Sequence, residues 1–89
     1  MCRSIKPLNN FEPPVTVDEV HAAALQFVRK ISGTAKPATV NAEAFDAAVR
    51  EITVVSKTLL DSLVTNAPPK DRAVEAAKAK ARTQARYAS

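Results

Sequence analysis

One glycine, one cysteine, one histidine and no tryptophan in 89 residues remove most familiar chemistries before any motif is sought. A phosphate-cradling loop or a dinucleotide fingerprint needs several closely spaced glycines, so the lone Gly33 excludes both in their usual form. Cys2 has no second cysteine to form an intramolecular disulfide, and small chains without one rely on packing, a metal or a partner. A catalytic triad would have to be built from Cys2, His21 and a nearby carboxylate, and nothing in the spacing supports that set. Asp18/Glu19, Glu43/Asp46 and Asp61 are accounted for by helix starts and solvated faces rather than by a catalytic cleft. The reading is a non-enzyme without a cofactor. There is no continuous apolar stretch of signal-peptide or membrane-spanning length, which predicts a soluble, cytoplasmic chain with no membrane partner.

Aromatics are scarce as well, at 4%: Phe11, Phe27, Phe45 and Tyr87. Any core is therefore built from Val, Ile, Leu and Ala, and alanine gains little by burial. The length leaves room for one small domain over residues 1–89.

Charge is distributed unevenly. From Met1 to Pro69 seven basic residues balance seven acidic ones, whereas Lys70–Ser89 carries six basic residues against Asp71 and Glu75. The whole net charge of +4 thus resides in the last twenty residues. A cationic segment on a neutral body is suited to a polyanion, most often nucleic acid.

Proline and glycine divide the chain into an arm and three helices. Residues 1–15, with Pro7, Pro13 and Pro14, read as an extended arm whose Ile5, Leu8 and Phe11 form a strap across a helical surface. Thr16 and Glu19 make a capping box for the first helix, and Gly33 ends it after Arg29 and Lys30. Val17, Val20, Ala24, Phe27, Val28 and Ile31 mark its apolar face. Asn41 is read as the N-cap of a second helix running to about Val64, with Phe45, Ala48, Val49, Ile52, Val55, Leu59 and Leu63 as its stripe. Asp46 and Arg50 are spaced for an i,i+4 ion pair on its outer face. The β-branched run Thr53-Val54-Val55 would also suit a strand, but the helical period decides for helix. Asn66-Ala67-Pro68-Pro69 breaks the chain, and a basic, Ala-rich third helix follows over 69–87 with Pro69 in its first turn. Its apolar edge is thin: Val74, Ala77, Ala81 and Ala85. The expected fold is all-α: an antiparallel hairpin over 16–65 with the arm packed across it, and the third helix more loosely attached.

Met1-Cys2-Arg3-Ser4-Ile5-Lys6, Asn10-Phe11-Glu12-Pro13-Pro14, the stretch Ala22–Gly33, Leu60-Asp61-Ser62-Leu63 and Ala67-Pro68-Pro69 together resemble a small bacterial family known as domain of unknown function 2277. The resemblance spans nearly the whole chain, with Ser4 standing where the family's opening has Asn, and Pro7 and Asn9 as further departures. It implies a compact bacterial cytosolic protein and carries over no activity, cofactor or catalytic residue.

Two pairs of readings follow. Cys2 and His21 are of zinc-ligand type and would meet if the arm folded back over the first helix, but two ligands fall short of the four of a structural site, so Asp18 and Glu12 or a second subunit would have to supply the rest. The plainer reading makes Cys2 a small apolar residue under the arm and His21 a border residue of the helix core, and it is preferred. Lys70, Arg72, Lys78, Lys80, Arg82 and Arg86 are candidates for phosphate contacts, with Tyr87 as a stacking face. No base-reading motif accompanies them, so such binding would be salt-sensitive and independent of sequence. The plainer alternative is a solvated helix end with favourable dipole charge. A protein-interaction or assembly module, with another protein or a second copy as partner, is the favoured function; an RNA or ribonucleoprotein accessory factor acting through the basic helix is the alternative.

Overall fold

A computed structural model of the chain describes the backbone of residues 4–88 and the side chains of residues 4–86. Five elements follow in order: β1 (Phe11–Glu12), α1 (Val17–Ser32), α2 (Thr39–Ser62), β2 (Lys70–Asp71) and α3 (Arg72–Ala88). The fold is all-α apart from a two-stranded parallel pairing of β1 with β2. The chain forms two compact units. One holds the chain as far as Asn9 together with Val15–Val64; the other holds Asn10–Pro14 and the chain from Thr65 onward.

The first unit is the hairpin of α1 and α2. Its start is the predicted capping box: Glu19 N donates to Thr16 Oγ1 at 3.3 Å, and Thr16 N donates to Glu19 Oε1 at 3.1 Å. Its end is the predicted glycine cap. Gly33 has φ 74°, a left-handed conformation that glycine adopts without strain, and its N–H donates to Arg29 O at 3.0 Å.

α2 begins two residues before the predicted Asn41 cap. Its N-cap is Ala38, which makes no side-chain capping bond, and Asn41 N instead donates to Ala38 O at 2.9 Å. Pro37 immediately precedes that cap, where its missing N–H is not required. The helix also stops at Ser62, short of Val64, with Leu63 extended as C-cap. The β-branched centre is helical, and the buried Thr53 hydroxyl is satisfied by turning back on the helix, Oγ1 donating to Val49 O at 2.7 Å. The ion pair of α2 is Lys57 to Asp61, at 2.6 Å, rather than the expected Asp46 to Arg50.

Ala24, Val28 and Val49 form the buried cluster, with Leu25, Phe45, Ala48 and Ile52 packed against it. Val20 and Thr53 are the other buried side chains among the described residues. Val28 lies near Phe45 at one end of the hairpin, and Val20 near Leu59 at the other, so the helices run antiparallel. The arm contributes Ile5 and Leu8 to this unit, and Gln26 Oε1 accepts from both Ser4 N and Ile5 N, at 2.9 and 3.2 Å. The expected strap therefore ends before Phe11. Asn10, at φ 62°, opens the second unit, to which Phe11 belongs.

In the second unit α3 starts at Arg72, three residues after the predicted Pro69 start. Lys70 and Asp71 are held extended by pairing with Phe11 and Glu12, which forbids helix there. Asp71 then acts as the cap, its Oδ1 accepting from Val74 N at 3.0 Å.

Caps of opposite quality give a stability test. Thr16→Ala should lower the unfolding free energy by about 1 kcal/mol, whereas Ala38→Asp, which supplies the missing cap of α2, should raise it by about 0.5–1 kcal/mol. Urea unfolding followed by circular dichroism measures both.

Candidate functional site

Two surfaces collect the residues that chemistry could use. On the hairpin, one side of the α1/α2 seam stays open. Phe27, Val55 and Leu59 are 44%, 69% and 57% exposed although all three lie on the predicted apolar stripes. Ile5, Leu8, Phe27, Ile52, Leu59 and Leu60 line a groove of about 360 Å³, in which Lys6 is the one charged lining residue. A helix hairpin has two sides to its seam, and the residues flanking the central row face outward unless a third layer covers them.

The opposite side carries His21. It is exposed and borders a hollow of about 520 Å³ together with Leu25, Asp46, Val49, Arg50, Thr53 and Val54. Its proposed zinc partner Cys2 lies outside the described residues. Among the described residues, no three His, Cys, Asp or Glu side chains are grouped as a metal ion would require.

The second surface is cationic, and here the structure separates residues that the sequence had grouped. Lys78, Lys80, Arg82 and Arg86 stand along α3, where every described side chain from Ala76 to Arg86 is exposed. Lys78, Arg82 and Arg86, four residues apart, share one stripe, with Glu75 at 3.8 Å from Lys78 at its start. Tyr87 sits in the last turn of α3, and its side chain lies outside the described residues.

Lys70 and Arg72 are held elsewhere, at the foot of the helix. Lys70 Nζ lies 5.4 Å and the Arg72 guanidinium carbon 5.6 Å from the centroid of the Phe11 ring, within reach of cation–π attraction. The backbone beneath is fixed by Asn10, whose carbonyl accepts from Lys70 N at 2.8 Å. Asn10 Nδ2 donates to Ala67 O and Pro68 O at 3.2 and 3.1 Å. Arg72 Nε donates to Pro13 O at 2.7 Å. Sequence reasoning assigned Phe11 to the strap and gave Asn10 no role; the signals that point to them are an aromatic beside Pro13-Pro14 and an Asn, the residue after Gly most tolerant of positive φ.

The family model described as "uncharacterized conserved protein (DUF2277)" matches residues 1–78. The chain belongs to the DUF2277 family. The matched segment contains the whole hairpin and every residue of the Phe11 cluster, and it ends within α3. No curated protein and no solved structure matches the chain. No described helix of this DUF2277 member is long and apolar enough to cross a membrane.

Asn10→Ala removes both side-chain bonds and places alanine in a left-handed conformation costing about 1 kcal/mol or more. The expected result is amide exchange at Lys70 accelerated by about 10-fold or more, measured by NMR, with the amides of Ala24 and Val49 unaffected.

Proposed function

We propose that this chain is a non-catalytic assembly module whose hairpin associates with a second copy of itself. The observation that carries this reading is the open apolar side of the seam, where Phe27, Val55 and Leu59 present large side chains to solvent beside the groove formed with Ile5 and Leu8. Exposed apolar side chains grouped on one face mark an interaction site more often than an accident of packing.

A second copy is favoured over a charged partner by the electrostatics of the hairpin. From Ser4 to Asn9 and from Val15 to Val64 it holds six basic and six acidic residues, so two copies approach without net repulsion. An isologous interface needs a patch that complements itself, and a largely uncharged apolar face does so. Two helical hairpins apposed in this way give a four-helix bundle, which closes the layer that one hairpin leaves open.

The experiment is sedimentation equilibrium on the full chain. A mass of twice 9.5 kDa is expected, with Leu59→Glu weakening association by about 30-fold or more. Val64→Glu serves as the control, since Val64 lies after α2 and outside the groove. A 9.5 kDa mass at every concentration contradicts the reading.

One observation favours a second reading, nucleic-acid binding: Lys78, Lys80, Arg82 and Arg86 are all exposed on a helix that buries none of its residues from Ala76 to Arg86. Such binding would act through phosphates. It weakens with salt and is lost when residues 70–89 are deleted.

A further inference from the structure

We propose that Phe11, Lys70 and Arg72 form a preorganised contact for the phosphodiester backbone of nucleic acid, which makes the N-terminal arm part of the binding surface. The proposal rests on the nucleic-acid reading and extends it from the α3 stripe to a defined site at the helix foot.

In the β1–β2 pairing Phe11 is opposite Lys70, and Glu12 is opposite Asp71. Successive residues of a strand point to opposite sides, so Phe11 and Lys70 share one side while Glu12 and Asp71 share the other. Arg72, two positions beyond Lys70, returns to the Phe11 side, as its 5.6 Å approach to the ring shows. A run of alternating charge, Lys70-Asp71-Arg72, is thereby sorted into a cationic face and an acidic one. The Asp71 carboxylate is further engaged, accepting from Val74 N at the start of α3.

The Phe11 ring gathers two cations at the foot of α3, and a phosphate carries the complementary charge. The ring holds them there by its quadrupole, and Arg72 is fixed from a second side by its bond to Pro13 O. Unrestrained lysine and arginine side chains carry rotamer entropy, much of which is lost on binding. At this site part of that loss has occurred already, so a phosphate meets groups in place. The two side chains also differ in kind, one a planar guanidinium and the other a compact ammonium.

The test measures binding of the full chain to fluorescein-labelled polyuridylate RNA by anisotropy between about 50 and 200 mM salt. Lys70→Gln loses its ring contact but keeps the Lys70 N–H to Asn10 O pairing, so the fold of the site is retained. Its slope of log affinity against log salt should be shallower than that of the unmodified chain by about 0.7, the value of one phosphate contact on a single strand. Phe11→Leu keeps both charges but releases them; it should weaken binding by about 3- to 10-fold with the slope unchanged. Lys36→Gln, in the hairpin loop, should match the unmodified chain. If Lys70→Gln keeps the full slope while Lys78→Gln and Arg82→Gln reduce it, the site is overturned and the nucleic-acid reading stands on α3 alone. If the unmodified chain fails to bind at about 50 mM salt, both fall.

Discussion

The hairpin depends on a seam one side chain deep. Ala24, Val28 and Val49 meet there, with Val20 and Thr53 buried alongside. Fully burying a valine gains roughly 1.5–3 kcal/mol, and alanine much less, while each ordered backbone residue costs about 1–2 kcal/mol in conformational entropy. Ala24 lets the helices approach closely but adds little area. The stability that such a seam supplies is offset across 16- and 24-residue helices. The two caps of α1 and the Lys57–Asp61 pair contribute in small increments. None of them covers the apolar side chains that flank the seam, and that uncovered side is the surface that the proposed second copy would close.

The second unit is organised by a different principle. A single aromatic ring takes the place of a core, and polar bonds from Asn10 and Arg72 fix the backbone around it. α3 grows from this knot with an Asp71 cap and strong helix formers, yet from Ala76 to Arg86 it buries nothing. At 17 residues it is close to the length at which an isolated helix is marginal in water. Its order is thus tied to the knot at its N-terminal end. A polyanion neutralising the Lys78–Arg82–Arg86 stripe would remove repulsion along the helix and stabilise it.

Much of the fold was legible in the residues because local signals and the helical period agreed. Thr16, Glu19 and Gly33 bounded α1 correctly, since a capping box and a C-cap glycine act within a single turn of the chain. Thr53-Val54-Val55 was rightly placed in helix against its strand propensity. Asn41 misled, because the helix opens directly after Pro37 with Ala38 at its cap, which places Asn41 inside the first turn. Pro69 misled for another reason: the pairing of Lys70 with Phe11 links residues far apart in sequence, and no local signal reports it. The division of the basic residues into an α3 stripe and a Phe11 cluster has the same non-local origin. The apolar stripes were read correctly as stripes, but periodicity shows which face is apolar and not whether this chain itself covers it.

The claim at the centre of this account is that the hairpin's open side is completed by a second copy. Thermal unfolding, followed by helix ellipticity over a hundredfold range of protein concentration, tests it most directly, because association with the folded state makes the midpoint depend on concentration. The account predicts a midpoint that rises steadily with concentration. A midpoint independent of concentration, with reversible unfolding throughout, would contradict it.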